Sequence, residues 1–151
     1  MQTTTFRPSG ARAPYERYLD QLSAFLSTKV RNGADLATLA HDRLPADILE
    51  RLLEIGLTWD EVAFIIPRRT LSHRRDKGQP LTIEESDKAI RLARILAQAT
   101  NTFGDAERAL HWLRAKQRRL GSITPLEMAG TEQGAHLVEE QLVQIDEGYF
   151  A

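Results

Sequence analysis

The sequence predicts an all-α protein, with a helix-turn-helix in its N-terminal region and a small helical domain at its C-terminal end. Three observations carry this expectation. Apolar residues recur at helical spacing through most of the 151 residues. Start and stop signals punctuate them: Thr58-x-x-Glu61 and Thr82-x-x-Glu85 read as capping boxes, and Gly56, Gly121 and Gly148 as stops. No run alternates with β period, and no repeat of solenoid length is present.

Beyond Met1, residues 1–13 hold one large apolar side chain, Phe6, and are expected to form a flexible arm. A functional arm touching DNA through Arg7 and Arg12 is the alternative. Pro14 to Val30 reads as the first helix, with Tyr15, Tyr18, Leu19, Leu22, Phe25 and Leu26 on one stripe and Asn32-Gly33 as its end. A short helix from Asp35 to His41 follows. Leu44 to Gly56 is the next, with Pro45 near its first position. The Thr58 box opens a short helix, Trp59 to Ile65, that Pro67 breaks. Thr82 opens a long helix to about Phe103, with Ile83, Ile90, Ala93 and Ala97 along one side, Leu92, Ile95, Leu96 and Ala99 broadening the apolar face, and Glu84–Lys88 and Asp87–Arg91 paired on the wet side.

Beyond it, Asp105 caps a helix that Gly121 stops, and Thr124-Pro125 starts another. Thr131 caps a third, whose stripe is Ala135, Val138, Leu142 and Ile145. Trp112, Leu113, Leu120, Leu126, Leu137 and Val138 read as core, or in part as a homodimer seam. The expected organisation is an arm over 1–13 and a helical domain over 14–103, with the helix-turn-helix at about 44–78 and the long helix at 82–103. A C-terminal domain over 104–151 follows, with a tail at 148–151.

There is no cysteine, so neither a disulfide nor a Cys-ligated metal is expected. No apolar run approaches a membrane span and the N-terminus lacks a signal-peptide core, which predicts a cytoplasmic protein with no membrane partner. The net charge of −1 hides an asymmetry. From Leu120 onward there are six acidic residues and no Lys or Arg, while the preceding chain holds all 20 basic residues and 15 of the 21 acidic ones. Such a chain suits two partners, nucleic acid at the basic end and a cationic pocket at the acidic end.

Five Lys or Arg fall within Arg68 to Lys77, with Leu71 as the one large apolar anchor. That is the make-up of a major-groove helix. The expected contact set is Arg68, Arg69, Thr70, Ser72, His73, Arg74, Arg75 and Lys77. A solvated basic face is the alternative. The turn Ile65-Ile66-Pro67-Arg68 lacks the glycine usual in repressor-type turns.

FGDAERALHWL, LGSITPLEM, T-E-Q-G-A-x-x-V-E-x-x-L and the final I-D-E-G-Y-F-A occur in this order. Together they resemble the C-terminal toxin-binding domain of the Xre/MbcA/ParS antitoxins, and the resemblance runs upstream through IPRRTLSHRRDKGQP. It implies an antitoxin that silences a RES-type toxin attacking NAD and represses its own operon by binding operator DNA, as a homodimer. It also implies that an acidic helix and aromatic tail block the toxin's active site. The residues for that role are Glu139, Glu140, Asp146, Glu147, Gly148, Tyr149, Phe150 and Ala151; the alternative is that Phe150 folds back over the helix end and Asp146 and Glu147 are merely solvated. A stand-alone regulator or localisation adaptor without a toxin is the alternative.

No enzyme motif appears. His41, His73, His111 and His136 are scattered, and no phosphate loop or nucleophile elbow is present. Neither a catalytic residue, a metal nor a cofactor is expected.

Overall fold

The 21-residue helix that begins at Ile83 organises the chain. A computed structural model describes residues 13–148. The expected arm, apart from Ala13, and the expected tail residues Tyr149, Phe150 and Ala151 lie outside the described residues. Among the described residues the elements are helical: α1 Pro14–Leu26, α2 Gly33–Asp42, α3 Ile48–Ile55, α4 Trp59–Val62 and α5 Arg68–Asp76. After them come α6 Ile83–Phe103, α7 Ala106–Leu113, α8 Pro125–Met128 and α9 Glu132–Asp146. No helix among these is long and apolar enough to cross a membrane.

The Thr82 capping box starts α6: Thr82 Oγ1 accepts from the Glu85 N–H at 3.1 Å, and Glu85 Oε1 accepts from the Thr82 N–H at 2.8 Å. Gly104, at φ 97°, ends it. The helix packs against α1, α2, α3, α7 and α9. Ala89, Ile90, Leu92, Ala93, Ile95, Leu96, Ala97 and Ala99 are all buried, so the apolar residues extend well beyond one narrow stripe. That breadth is what a helix enclosed by neighbours on most sides requires.

Two expectations for α6 are corrected. Ile83 sits ahead of the core, in the first turn, and is half exposed. Arg91 is buried rather than wet, because α9 closes over it. Its guanidinium is satisfied there by Glu132 at 2.9 Å, the Gly130 carbonyl at 3.3 Å and Asp87 at 3.7 Å. A buried charge is tolerable only with such partners.

The boundaries that shift do so for identifiable reasons. Helix α1 stops at Leu26, where Ser27 turns left-handed and Ser23 Oγ accepts from the Val30 N–H at 2.9 Å. Asn32 therefore starts a helix instead of ending one, capping α2 through the Asp35 N–H. Helix α3 begins at Ile48, not Leu44, because tertiary hydrogen bonds hold Leu44 outside it. Its N–H donates to Ser86 Oγ and its carbonyl accepts from the Leu81 N–H, both at 2.9 Å. Helix α4 makes one turn and relaxes through residues 63–65. Helix α7 ends at Leu113, with Arg114 at its cap. Gly121 instead closes a 3-10 turn, Arg118–Leu120, drawn in by the Gln117 N–H to Ile123 carbonyl bond. Leu137, expected in the core, is 47% exposed; Leu113, Leu120 and Val138 are buried.

The C-terminal part is tightly spaced at one point. A Cβ on Gly134 would lie 1.7 Å from the Met128 carbonyl oxygen. Only glycine lets the start of α9 pass this close to α8.

Candidate nucleic-acid and partner interfaces

Helix α5 hangs on Leu71, which is fully buried. Pro67 supplies its N-cap in extended conformation and so separates it from α4 without a glycine. Since Leu71 points inward, residues three and four positions on share its side. Arg74 and Arg75 therefore turn back towards the protein. Arg74 is half-buried and ion-paired with Glu85, and Arg75 pairs with Glu50 of α3. The Arg68 guanidinium lies 4.6 Å from the Trp59 ring centroid, a cation–π contact between α5 and α4.

The opposite side of α5 carries Arg69, His73 and Asp76, with Thr70, Ser72 and Lys77 on its flanks, all exposed. Arg69 and Lys77 have no ion-pair partner among the described residues. The structure thus brings the eight expected contact residues onto one short helix but divides them. Six face solvent or lie over Trp59, and two are engaged by carboxylates.

Glu85 illustrates the electrostatics. Burial pushes its carboxyl up, but hydrogen bonds from Arg74 and the Thr82 N–H outweigh that and hold it below the ordinary carboxylate value. It is thus both the N-terminal cap of α6 and the counter-ion of α5.

The acidic residues of α9 divide likewise. Glu132 pairs with Arg91 and Arg94, and Glu139 with Arg94. Asp146 accepts from Thr102 Oγ1 at 3.1 Å. These fasten α9 alongside α6, running in the same direction. Burial raises the Tyr18 hydroxyl pKa, and Arg94 beside it opposes that. Glu140, Glu147 and Gly148 are exposed. Glu139, expected as a partner contact, is already engaged within the chain.

No local pattern in the sequence reveals the role of Arg114, at the end of α7. Its Nε and Nη2 grip the two Glu61 oxygens at 2.8 and 2.7 Å, and Nη2 also reaches the Gly56 carbonyl at 2.7 Å. The hydrogen bonds from Arg114 depress the Glu61 carboxyl, with the Thr58 N–H assisting against the opposing effect of burial. A cleft of about 410 Å³ lies beside this contact, lined by Asp60, Phe64, Leu126 and Glu127 among others.

Two families match along the chain. Residues 35–94 match the Antitoxin Xre-like helix-turn-helix domain, and residues 98–148 the Antitoxin Xre/MbcA/ParS C-terminal toxin-binding domain. A protein named Antitoxin Xre from Pseudomonas putida (strain KT2440) is 41% identical over 137 residues, covering 89% of this chain and 86% of that protein. The chain belongs to the Xre family of antitoxins.

An Antitoxin Xre from Photorhabdus laumondii is 28% identical over 122 residues, 78% of this chain and 82% of its own. A Sphingobium protein named Prs ADP-ribosylating antitoxin is 30% identical over 91 residues, 54% and 57%. This Xre-family antitoxin therefore has a helix-turn-helix domain followed by a toxin-binding domain, with α5 in the first and α7 to α9 in the second. Arg114 and Glu61 join the two.

Proposed function

We propose that this antitoxin neutralises a RES-domain toxin that attacks NAD, by blocking its active site, and represses its own operon by binding operator DNA as a cytoplasmic homodimer. The reading rests on one observation, the separation of charge along α6. Cationic α5 is tied to the start of α6 through Arg74 and Glu85, and the acidic end of α9 to its finish through Thr102 and Asp146. A cationic helix meets phosphate, and an acidic helix end meets the cationic pocket of an enzyme that holds a pyrophosphate.

On this reading the DNA contacts are led by Arg69 and His73, with Arg68, Thr70, Ser72 and Lys77 beside them. Arg74 and Arg75 set the pitch of the helix. The toxin contacts are Glu140, Asp146, Glu147 and Gly148, with Tyr149, Phe150 and Ala151 beyond the described residues. The division falls at Phe103–Gly104, with residues 14–103 serving DNA, the helix-turn-helix at about 44–78, and residues 104–151 serving the toxin. One relative's name carries ADP-ribosylation, a chemistry that consumes NAD, in keeping with an NAD-directed toxin.

The test is to look for a RES-domain reading frame beside this one and to co-express the two. The expected result is rescued growth, preserved cellular NAD and copurification, with a mobility shift on DNA upstream of the pair. Persistent growth arrest with no complex formed would overturn the reading.

A further inference from the structure

The described residues leave four large apolar side chains strongly exposed: Tyr15 at 61%, Ile83 at 49%, Leu137 at 47% and Val143 at 45%. Ile83 lies at the start of α6, beside the DNA-facing helix. The other three lie elsewhere, Leu137 and Val143 on α9 and Tyr15 on the first turn of α1, which Asn101 holds beside the end of α6.

Leu137 and Val143 are on α9. At 100° per residue they bracket an outward face centred on Glu140, with Gln133, His136, Gln144 and Glu147 between them. All these residues are exposed, and at one edge Arg119 reaches in to Gln144 at 3.0 Å. Past Val143 the helix surface turns to Asp146, which lines a hollow of about 380 Å³ with Pro14, Tyr15, Tyr18, Gln98 and Asn101. The Tyr15 and Tyr18 rings are stacked there, with centroids 6.2 Å apart. Asn101 Nδ2 fixes the start of α1 by donating to the Pro14 carbonyl at 3.1 Å. Tyr15 thus extends the surface of α9, although α1 lies outside both matched domains.

We propose that the toxin-facing surface of this protein is composite, made of the outer face of α9 and the first turn of α1. Leu137, Val143 and Tyr15 are its apolar anchors, and Glu140, Asp146 and Glu147 its charged surround. The partner it fits is a protein with shallow apolar sockets inside a rim of Lys and Arg. An open tyrosine face beside a carboxylate is a receptor for a cationic side chain. Apolar anchors inside a polar rim are the arrangement of a specific protein interface. The acidic surround favours the toxin over a second copy, whose identical face would set six carboxylates against one another.

The inference rests on the toxin-neutralising reading, and the experiment separates the two. Titrate the full-length antitoxin, and its Tyr15→Ala, Leu137→Lys, Val143→Lys and Ile83→Lys variants, against a catalytically inactive cognate toxin. Monitor each variant's melting temperature and its self-association by sedimentation. The expected result is tenfold or greater weakening for the first three and no change for Ile83→Lys, with melting unchanged. Weakening by Leu137→Lys and Val143→Lys but not by Tyr15→Ala would remove α1 from the surface and overturn the composite. Full toxin affinity in all three, with self-association lost, would make the face a dimer seam and overturn it outright. If the wild-type chain itself fails to bind the toxin, the functional reading fails first.

Discussion

Arg114, at the end of α7, clasps Glu61, the capping-box carboxylate of α4, through two hydrogen bonds of 2.7 and 2.8 Å across 53 residues of chain. A bidentate guanidinium–carboxylate contact fixes orientation as well as distance. With the Arg91–Glu132 and Arg94–Glu139 pairs, it ties the DNA-binding and toxin-binding halves together.

Replacing Arg114 with Ala should loosen the two halves. Because the pair is partly open to water, the loss should be about 1 kcal/mol. The double exchange Arg114→Glu with Glu61→Arg should recover only part of it, since a guanidinium has no oxygen to accept from the Thr58 N–H. Denaturant unfolding of the single and double variants measures this, and additive losses would show that the contact is not coupled.

Acid should weaken the fold. The carboxyls of Glu61, Glu85 and Glu132 all lie below their ordinary value of 4.5 in the folded chain. In Glu61 the leading cause is the Arg114 hydrogen bond. In Glu85 and Glu132 burial works against hydrogen bonds from Arg74 and Arg91, and the hydrogen bonds prevail. A depressed carboxyl contributes stability that is complete above its unfolded value and is lost as pH falls through the folded one. Unfolding free energy should therefore be flat from these groups above about pH 5 and fall below about 4.5. The Glu61→Gln variant should show a shallower fall, and an identical slope would refute the assignment.

On α5 the two kinds of arginine should separate. Arg69→Ala should weaken operator binding at least tenfold with an unchanged melting temperature, since it faces outward. Arg74→Ala should lower the melting temperature by loosening α5 from Glu85, and its effect on DNA should shrink as temperature is reduced. Mobility shifts at fixed salt, paired with melting curves, decide between this and direct contact by Arg74.

Gly134→Ala should damage the C-terminal domain by about 3 kcal/mol or more, because the new methyl would meet the Met128 carbonyl. Gly33→Ala is the matched control, with nothing within 4 Å of the added atom, and should be neutral or slightly stabilising. Equal melting temperatures for both variants would contradict the close approach of α8 and α9.

Much of the architecture was written locally. The Thr58 and Thr82 capping boxes, the Asp105, Thr124 and Thr131 caps and the span of α6 follow from side chains within a few residues of the groups they satisfy. The early part of the chain was harder to read because its boundaries are decided at a distance. Pro45 suggests a helix from Leu44, but Ser86 and Leu81 hold Leu44 outside the helix from 42 and 37 residues away.

The candidate site was legible in kind but not in detail. Composition placed positive charge on α5 and negative charge on α9. It did not say which of those charges were already spoken for. Leu71 could have told it for α5, since Arg74 and Arg75 follow at the spacing that shares its inward side. No local pattern pairs Arg114 with Glu61 or Arg94 with Glu139. Helical periodicity and caps are short-range, so a single stretch of sequence determines them. Whether an arginine is held by a carboxylate or left for a partner depends on which helices pack side by side, and that only the folded chain decides.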